Sequence, residues 1–347
     1  MFPDIVKTFG LCYNSNGSRK VVGHREMVNN SIKARNYRMI VAKGISAAQK
    51  KRKNDPMTVL YILLLALLQG LTEFLPVSSF GILCMAEKFF GMERSTGLLC
   101  ETMVHLGTAA SIIFIFRKDL KRIGAEFIGM LLDLIGNLNL YIHNKRTGSD
   151  LNYARIVHGT YRKFTALLVV SMIPSFLLGY AARRLAVLSS ESGIVNGIGF
   201  LIGGIVLLVT DLNNSGGEKG PRDTAYHCAM WMGICQGIAV FPGLSRMGMT
   251  VCAALLGGCS RKFAVRFSVI MSFPMLIGAF VSQAGQFASA QMTPGLGVTY
   301  AAAMILAGLT GCLSVRFMIN LVQNKKLRVF AFLSFAAGIL ALASNFM

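Results

Sequence analysis

The chain uses one unusual stretch twice. Residues 69–81 read Gln-Gly-Leu-Thr-Glu-Phe-Leu-Pro-Val-Ser-Ser-Phe-Gly, and residues 236–248 read Gln-Gly-Ile-Ala-Val-Phe-Pro-Gly-Leu-Ser-Arg-Met-Gly. Aligned without gaps, the copies share Gln-Gly, an aliphatic residue, a Phe, a Ser and a closing Gly, while Ser79 stands opposite Arg246. Each copy interrupts apolar sequence with polar side chains and a proline, which cannot donate a helical hydrogen bond. In hydrocarbon such a break is tolerated where it is buried in protein or lines a polar cavity. The pair is therefore read as two broken helices that form the halves of one site.

The surrounding sequence makes hydrocarbon the expected solvent. Hydrophobic residues are 54% of the 347, charged residues 14%, and the mean hydropathy is +0.56. Apolar runs near the length of a bilayer span recur after residue 57. After the entry segment at 58–68 they fall at about 98–116, 123–142, 164–188, 194–210, 226–240, 263–286, 297–320 and 329–346. The basic cluster Arg117-Lys118-Asp119 is expected to end one span, and residues 143–162 to form a loop. The fold class expected is an all-α polytopic membrane protein, an inverted repeat with two re-entrant, broken helix pairs. The first pair breaks at Pro76-Val77-Ser78 and turns back through about 79–90; the second breaks at Pro242-Gly243. Residues 57–347 are then a single transmembrane domain of two repeats, about 57–190 and 194–347, with the motif copies 167 residues apart.

The formal charge of +20 is concentrated where it argues against nucleic acid. Residues 1–56 carry twelve Lys and Arg against Asp4, Glu26 and Asp55, without the apolar core of a signal peptide, and read as a disordered basic extension. The remaining excess lies in short loops, a pattern that fits contact with anionic lipid headgroups rather than a nucleic-acid groove. None of the eight cysteines forms a CxxC pair, and they read as packing residues.

The chemistry resides in what differs between the copies. Gln69 and Glu73, four apart, present their side chains one helical turn apart. An ionisable Glu in a membrane segment is a functional-site candidate by default. Ser78 and Ser79 lie at the break, where a hydroxyl can leave the helix face. In the second copy Arg246 opens a new half-helix with Ser245, and Thr250 follows one turn later. A helix N-terminus, a guanidinium fork and hydroxyls together make an anion cradle. Carboxylate and serine from one half and the cradle from the other point to phosphoryl chemistry on a group that reaches the membrane. Arg246 would stabilise phosphate charge, Ser79 would attack or hold a water, and Glu73 would accept the proton or bind a metal. A Mg²⁺ or Ca²⁺ ion would complete its ligand set with phosphate oxygens and water.

The runs QGLTEFLPVSS and PGLSRMGMT resemble the two signature motifs of the undecaprenyl-diphosphatase family, integral membrane phosphatases of the bacitracin-resistance type. The likeness covers about residues 57–347. It implies hydrolysis of undecaprenyl diphosphate to the monophosphate carrier lipid of envelope polymers, a divalent cation, and residence in the bacterial inner membrane. By motif position it implies that Gln69 and Glu73 form the acidic motif, that Ser79 is the nucleophile, and that Ser245, Arg246 and Thr250 bind phosphate, with Ser78 beside them. The partners implied are a polyprenyl diphosphate and membrane lipids, with no nucleic acid; a homodimer stays open. His105, in Val104-His105-Leu106-Gly107-Thr108, is similar to another family stretch but is read as structural. Ile82 and Met247 stand where the family pattern has His and Ser. Two other readings stay open: a lipid-phosphate flippase or anion transporter on the same scaffold, and a degenerate, non-catalytic homologue.

Overall fold

The computed structural model describes residues 56–90, 94–189, 192–213, 216–283 and 294–344. The expected basic extension therefore lies, apart from Pro56, outside the described residues. Among the described residues ten helices follow in order: α1 (Pro56–Thr72), α2 (Ser79–Phe90), α3 (Arg94–Thr147), α4 (Gly159–Ser189), α5 (Gly193–Leu212), α6 (Tyr226–Ile238), α7 (Arg246–Leu256), α8 (Arg261–Gln283), α9 (Pro294–Gln323) and α10 (Leu327–Ala343). The chain divides into residues 1–59 and 60–347. Of the first unit only Pro56–Val59, the opening of α1, is described, and all packing below lies within the second.

Both expected breaks are present. Helix α1 stops at Thr72 and α2 begins at Ser79, with Pro76 between them. Helix α6 stops at Ile238 and α7 begins at Arg246, across Pro242-Gly243. Gly243 takes φ +86°, a left-handed conformation open to glycine without strain. The short members α2, α6 and α7 have 12, 13 and 11 residues. At 1.5 Å per residue they reach about 16–20 Å, short of a hydrocarbon core of about 30 Å. Five other segments, within α3, α4, α5, α8 and α9, are long and apolar enough to cross a membrane. The chain is an all-α polytopic membrane protein.

The boundary expected at Arg117-Lys118-Asp119 is present as a kink: α3 spans 54 residues, but the non-helical backbone of Phe116 (φ −103°, ψ 21°) divides it into two helical segments directly before that cluster. The second segment continues to Thr147, so the loop expected at 143–162 shrinks to 148–158. Just past Phe116, Asp119 anchors α3 to α8 through Arg266, whose Nε donates at 3.0 Å.

Close packing depends on the small residues of the repeat. Gly70 lies on α9, where an added Cβ would stand 2.8 Å from the carbonyl oxygen of Ala307. Gly237, its counterpart, lies on α4, where an added Cβ would stand 2.8 Å from Cβ of Leu178. Helix α5 packs along α10, and α3 along α9 and α8. Phe164 packs edge-to-face on Phe263 and Phe267, with centroids 5.9 and 5.5 Å away, and holds α4 against α8.

Candidate active site

The serine and glycine shared by the copies are capping residues. Ser78 Oγ accepts from the backbone N–H of Gly81 at 3.2 Å, and Ser245 Oγ accepts from that of Gly248 at 3.1 Å. Each is the N-cap of the helix that follows its break, bonded three residues on. Ser245 also donates to the carbonyl of Leu75 at 3.2 Å, so the second cap holds the first break in place. Asn196 on α5 donates to the carbonyl of Gly81 at 3.0 Å. The breaks are thus pinned against one another by polar groups that would otherwise be unsatisfied in an apolar interior.

At their junction stand the residues that differ between the copies. The backbone N–H of Glu73 donates to the carbonyl of Gln69 at 2.8 Å, so the helical register continues one residue past α1. This places the Gln69 and Glu73 side chains one turn apart. Glu73 Oε2 accepts from Ser79 Oγ at 2.7 Å, and Glu73 Oε1 accepts from Arg246 Nη2 at 2.6 Å. The carboxylate side chain is 4% exposed and the guanidinium 22%. A charge-assisted bond on each oxygen leaves the carboxylate one orientation, with the serine hydroxyl proton aimed at it. That is the geometry of a nucleophile paired with its base. Arg246 has five N–H donors, and the bond to Glu73 uses one of them.

These groups open onto a cavity of about 270 Å³ lined by Gln69, Ser79 and Arg246 and continued by apolar side chains, among them Leu83, Phe176, Met275 and Ala279. The other expected phosphate binders do not line it. Ser78 and Ser245 cap helices as described. Thr250 is fully buried and donates to the carbonyl of Arg246 at 2.8 Å and to Gln236 Oε1 at 3.3 Å. Its hydroxyl fixes the turn that carries Arg246.

The cavity also holds groups the motifs did not bring forward. Glu101 and His105, from α3, and Ser282 and Gln283, from α8, line it. His105 is read from the sequence as structural, and Glu101 stands one helical turn before it in the same apolar run. Ile82 does not line the cavity; it packs against the apolar core. Met247, 4% exposed, belongs to that core. Among the described residues no three His, Cys, Asp or Glu side chains are grouped to hold a metal by themselves. Glu73, Glu101 and Gln69 do supply the oxygen donors that Mg²⁺ or Ca²⁺ takes when phosphate oxygens and water supply the rest.

A family model described as bacitracin resistance protein BacA matches residues 62–340. An undecaprenyl-diphosphatase of Alkaliphilus metalliredigens is 30% identical over 287 residues, covering 81% of this chain and 97% of that protein. One of Methanosphaera stadtmanae is 29% identical over 291 residues, covering 82% and 98%. Undecaprenyl-diphosphatase 4 of Bacillus thuringiensis subsp. konkukian is 29% identical over 290 residues, covering 84% and 98%.

Proposed function

This chain belongs to the bacitracin resistance protein BacA family, and on that premise we propose that it is an integral membrane phosphatase that hydrolyses undecaprenyl diphosphate to undecaprenyl phosphate and inorganic phosphate. The product is the carrier lipid that cell-envelope polymer synthesis reuses. The observation that carries the reading is the continuous chain Ser79–Glu73–Arg246 at the polar end of an apolar cavity. A lipid diphosphate has the matching shape, an anionic head for Arg246 and a tail for the apolar lining.

The chemistry follows from the bonds already made. Ser79 Oγ attacks the terminal phosphorus while its proton passes to Glu73 Oε2, and the bond to the bridging oxygen breaks, releasing the lipid monophosphate. The remaining donors of Arg246 meet the equatorial oxygens, where charge is spread in the transition state. The first-turn backbone N–H groups of Arg246 and Met247 add the partial charge of a helix N-terminus. Glu73 and Glu101, with Gln69, would hold a Mg²⁺ or Ca²⁺ ion against the diphosphate. When bound, the ion supplies further neutralisation of phosphate charge.

The inverted, re-entrant architecture belongs to the same proposal. Helices α1–α5 and α6–α10 follow the same order of half-helix, break, half-helix and three further helices. Gly70 and Gly237 make the same kind of contact on the corresponding helices α9 and α4. The helix pairs α3–α8 and α5–α10 each join counterparts, as a two-fold relation requires. The membrane is the bacterial inner membrane. A transporter is disfavoured by the serine bonded directly to the carboxylate, and a degenerate homologue by the presence of every member of the chain.

Purified protein in detergent with undecaprenyl diphosphate and Mg²⁺ or Ca²⁺ is expected to release inorganic phosphate. Lipid translocation in proteoliposomes without phosphate release would replace the reading with the transporter, and neither activity would replace it with the degenerate homologue.

A further inference from the structure

Away from the site, the second segment of α3 (residues 117–147) is built the wrong way round for a helix in water. Its polar stripe is the side that the protein covers. Residues 148–158 form no regular structure and run back along this stripe as a strap. Asn144 exchanges hydrogen bonds with the backbone of Leu151 at 3.0 and 3.2 Å, and Asn137 with that of Ala154, both at 2.8 Å. Arg162 then closes the return on Glu126, with Nε donating at 2.9 Å, and on Asp133. The opposite side is open. Ile128, Leu132, Leu134, Ile135, Leu138 and Ile142 are each 42–62% exposed, and at 3.6 residues per turn they occupy about half of the helix circumference.

The occupant follows from the width, backbone and charge of this hairpin. An apolar arc so wide exceeds the seam that one partner helix covers, and a second copy would leave much of it in water. Hydrocarbon on every side is excluded too, because the irregular backbone of the strap does not lie exposed to lipid. What fits is the boundary between acyl chains and water, with the arc toward the chains and the strap toward water. Charge then specifies the headgroups. Arg117, Lys118, Lys121 and Arg122 stand exposed at one end of the segment, and Lys145 and Arg146 at the other. Among the described residues none of these six is in an ion pair. The neighbouring acids are neutralised, Asp119 by Arg266, and Glu126 and Asp133 by Arg162, which leaves Asp150. At the first end Arg117 and Lys118 also line, with Arg316 of α9, a cleft of about 520 Å³.

Resting on the membrane class and not on the phosphatase reading, we propose that residues 117–158 lie in the plane of the bilayer surface as an amphipathic hairpin. The apolar arc sits among the acyl chains, and the basic ends sit on anionic lipid headgroups. The two groups of cations, about 35 Å apart along the helix, collect anionic lipid around this side of the protein.

The test uses the whole chain in nanodiscs that hold one copy each. Trp231, the single tryptophan, is replaced by Phe, and a new tryptophan is placed on the arc (Ile135→Trp) or on the strap (Asn152→Trp). With phospholipids brominated in the upper acyl chain, Ile135→Trp is expected to lose at least about half of its fluorescence and Asn152→Trp much less. Leu132→Trp takes the place of Ile135→Trp should the latter not elute as a folded species. Ile142→Trp stands one turn before Arg146 and reads the headgroups. At equal mole fraction, brominated phosphatidylglycerol is expected to quench it roughly twofold more than brominated phosphatidylcholine, and added salt or the pair Lys145→Gln and Arg146→Gln to remove the difference. Equal quenching of the arc and strap reporters overturns the inference. So does an arc shielded only in discs that hold two copies, which gives the face to a second copy, and so does equal quenching of Ile142→Trp by the two lipids. No readout depends on phosphate release, so a wild type without that activity removes the phosphatase reading and leaves this one standing.

Discussion

Glu73 and Arg246 are 173 positions apart in the chain and 2.6 Å apart in the fold, one at each break. The pair is at once the electrostatic centre of the site and the bond that holds the two half-sites in register. Its members should therefore fail differently when removed. Arg246→Ala leaves a buried carboxylate without its counter-charge and is expected to cost up to about 3 kcal/mol of stability, at the low end for a buried pair because the guanidinium is partly exposed. Glu73→Gln is expected to cost less, and the double variant to be more stable than Arg246→Ala alone. Each single variant is expected to lower phosphate release by at least about 10²-fold. Thermal unfolding in detergent, beside the phosphate assay, reads both effects.

Ser79 has one assigned side-chain bond, to Glu73. Ser79→Ala is expected to abolish the phosphoenzyme and most turnover with little change in thermal stability. Ser78→Ala is expected to do the reverse, losing about 1 kcal/mol with the cap of α2 while keeping much of the activity. An inactive Ser78→Ala of unchanged stability would exchange their roles.

Ile82 is half-buried and packs against the core rather than lining the cavity. Ile82→His is accordingly expected not to raise activity, and to lose about 1 kcal/mol by replacing apolar packing with a partly buried imidazole. A gain in turnover would show that position 82 reaches the substrate.

Chelation of divalent cations is expected to suppress phosphate release, and Mg²⁺ or Ca²⁺ to restore it. If Glu101 is an ion ligand, Glu101→Gln raises the cation concentration needed for half-maximal rate. An unchanged cation requirement in Glu101→Gln would remove it from the ion's ligand set.

Two glycines of the repeat test the packing. Gly70→Ala drives a Cβ into Thr310 Oγ1 and the Ala307 carbonyl, and Gly237→Ala brings one to 2.8 Å from Leu178 Cβ; each is expected to cost about 1–3 kcal/mol and to lower activity by shifting its helix. Gly136→Ala, with nothing within 4 Å of the added Cβ, is expected to leave stability unchanged or raise it by up to about 1 kcal/mol. Thermal unfolding of the three variants separates these outcomes.

The sequence by itself determined the membrane class and both breaks, and it singled out Glu73, Ser79 and Arg246, which the fold brings together. Each of these rests on a local rule: apolar run length, the missing donor of proline, and the rarity of a carboxylate or guanidinium in hydrocarbon. Comparison of the two copies goes further, because what they share is scaffold and what they do not share meets in one hydrogen-bonded chain. Ser78 and Ser245 cap, and Gly70 and Gly237 pack, whereas Glu73, Ser79 and Arg246 have no like-for-like counterpart. Local rules placed the interruption of α3, whose non-helical Phe116 directly precedes Arg117-Lys118-Asp119, but could not show that its second segment runs on to Thr147. Nor could they bring Glu101 and His105 to the site, or send Ile82, Ser78 and Thr250 away from it. Which way a side chain faces depends on the helix packed against it, and that was decided only when α3 and α8 closed around the two breaks.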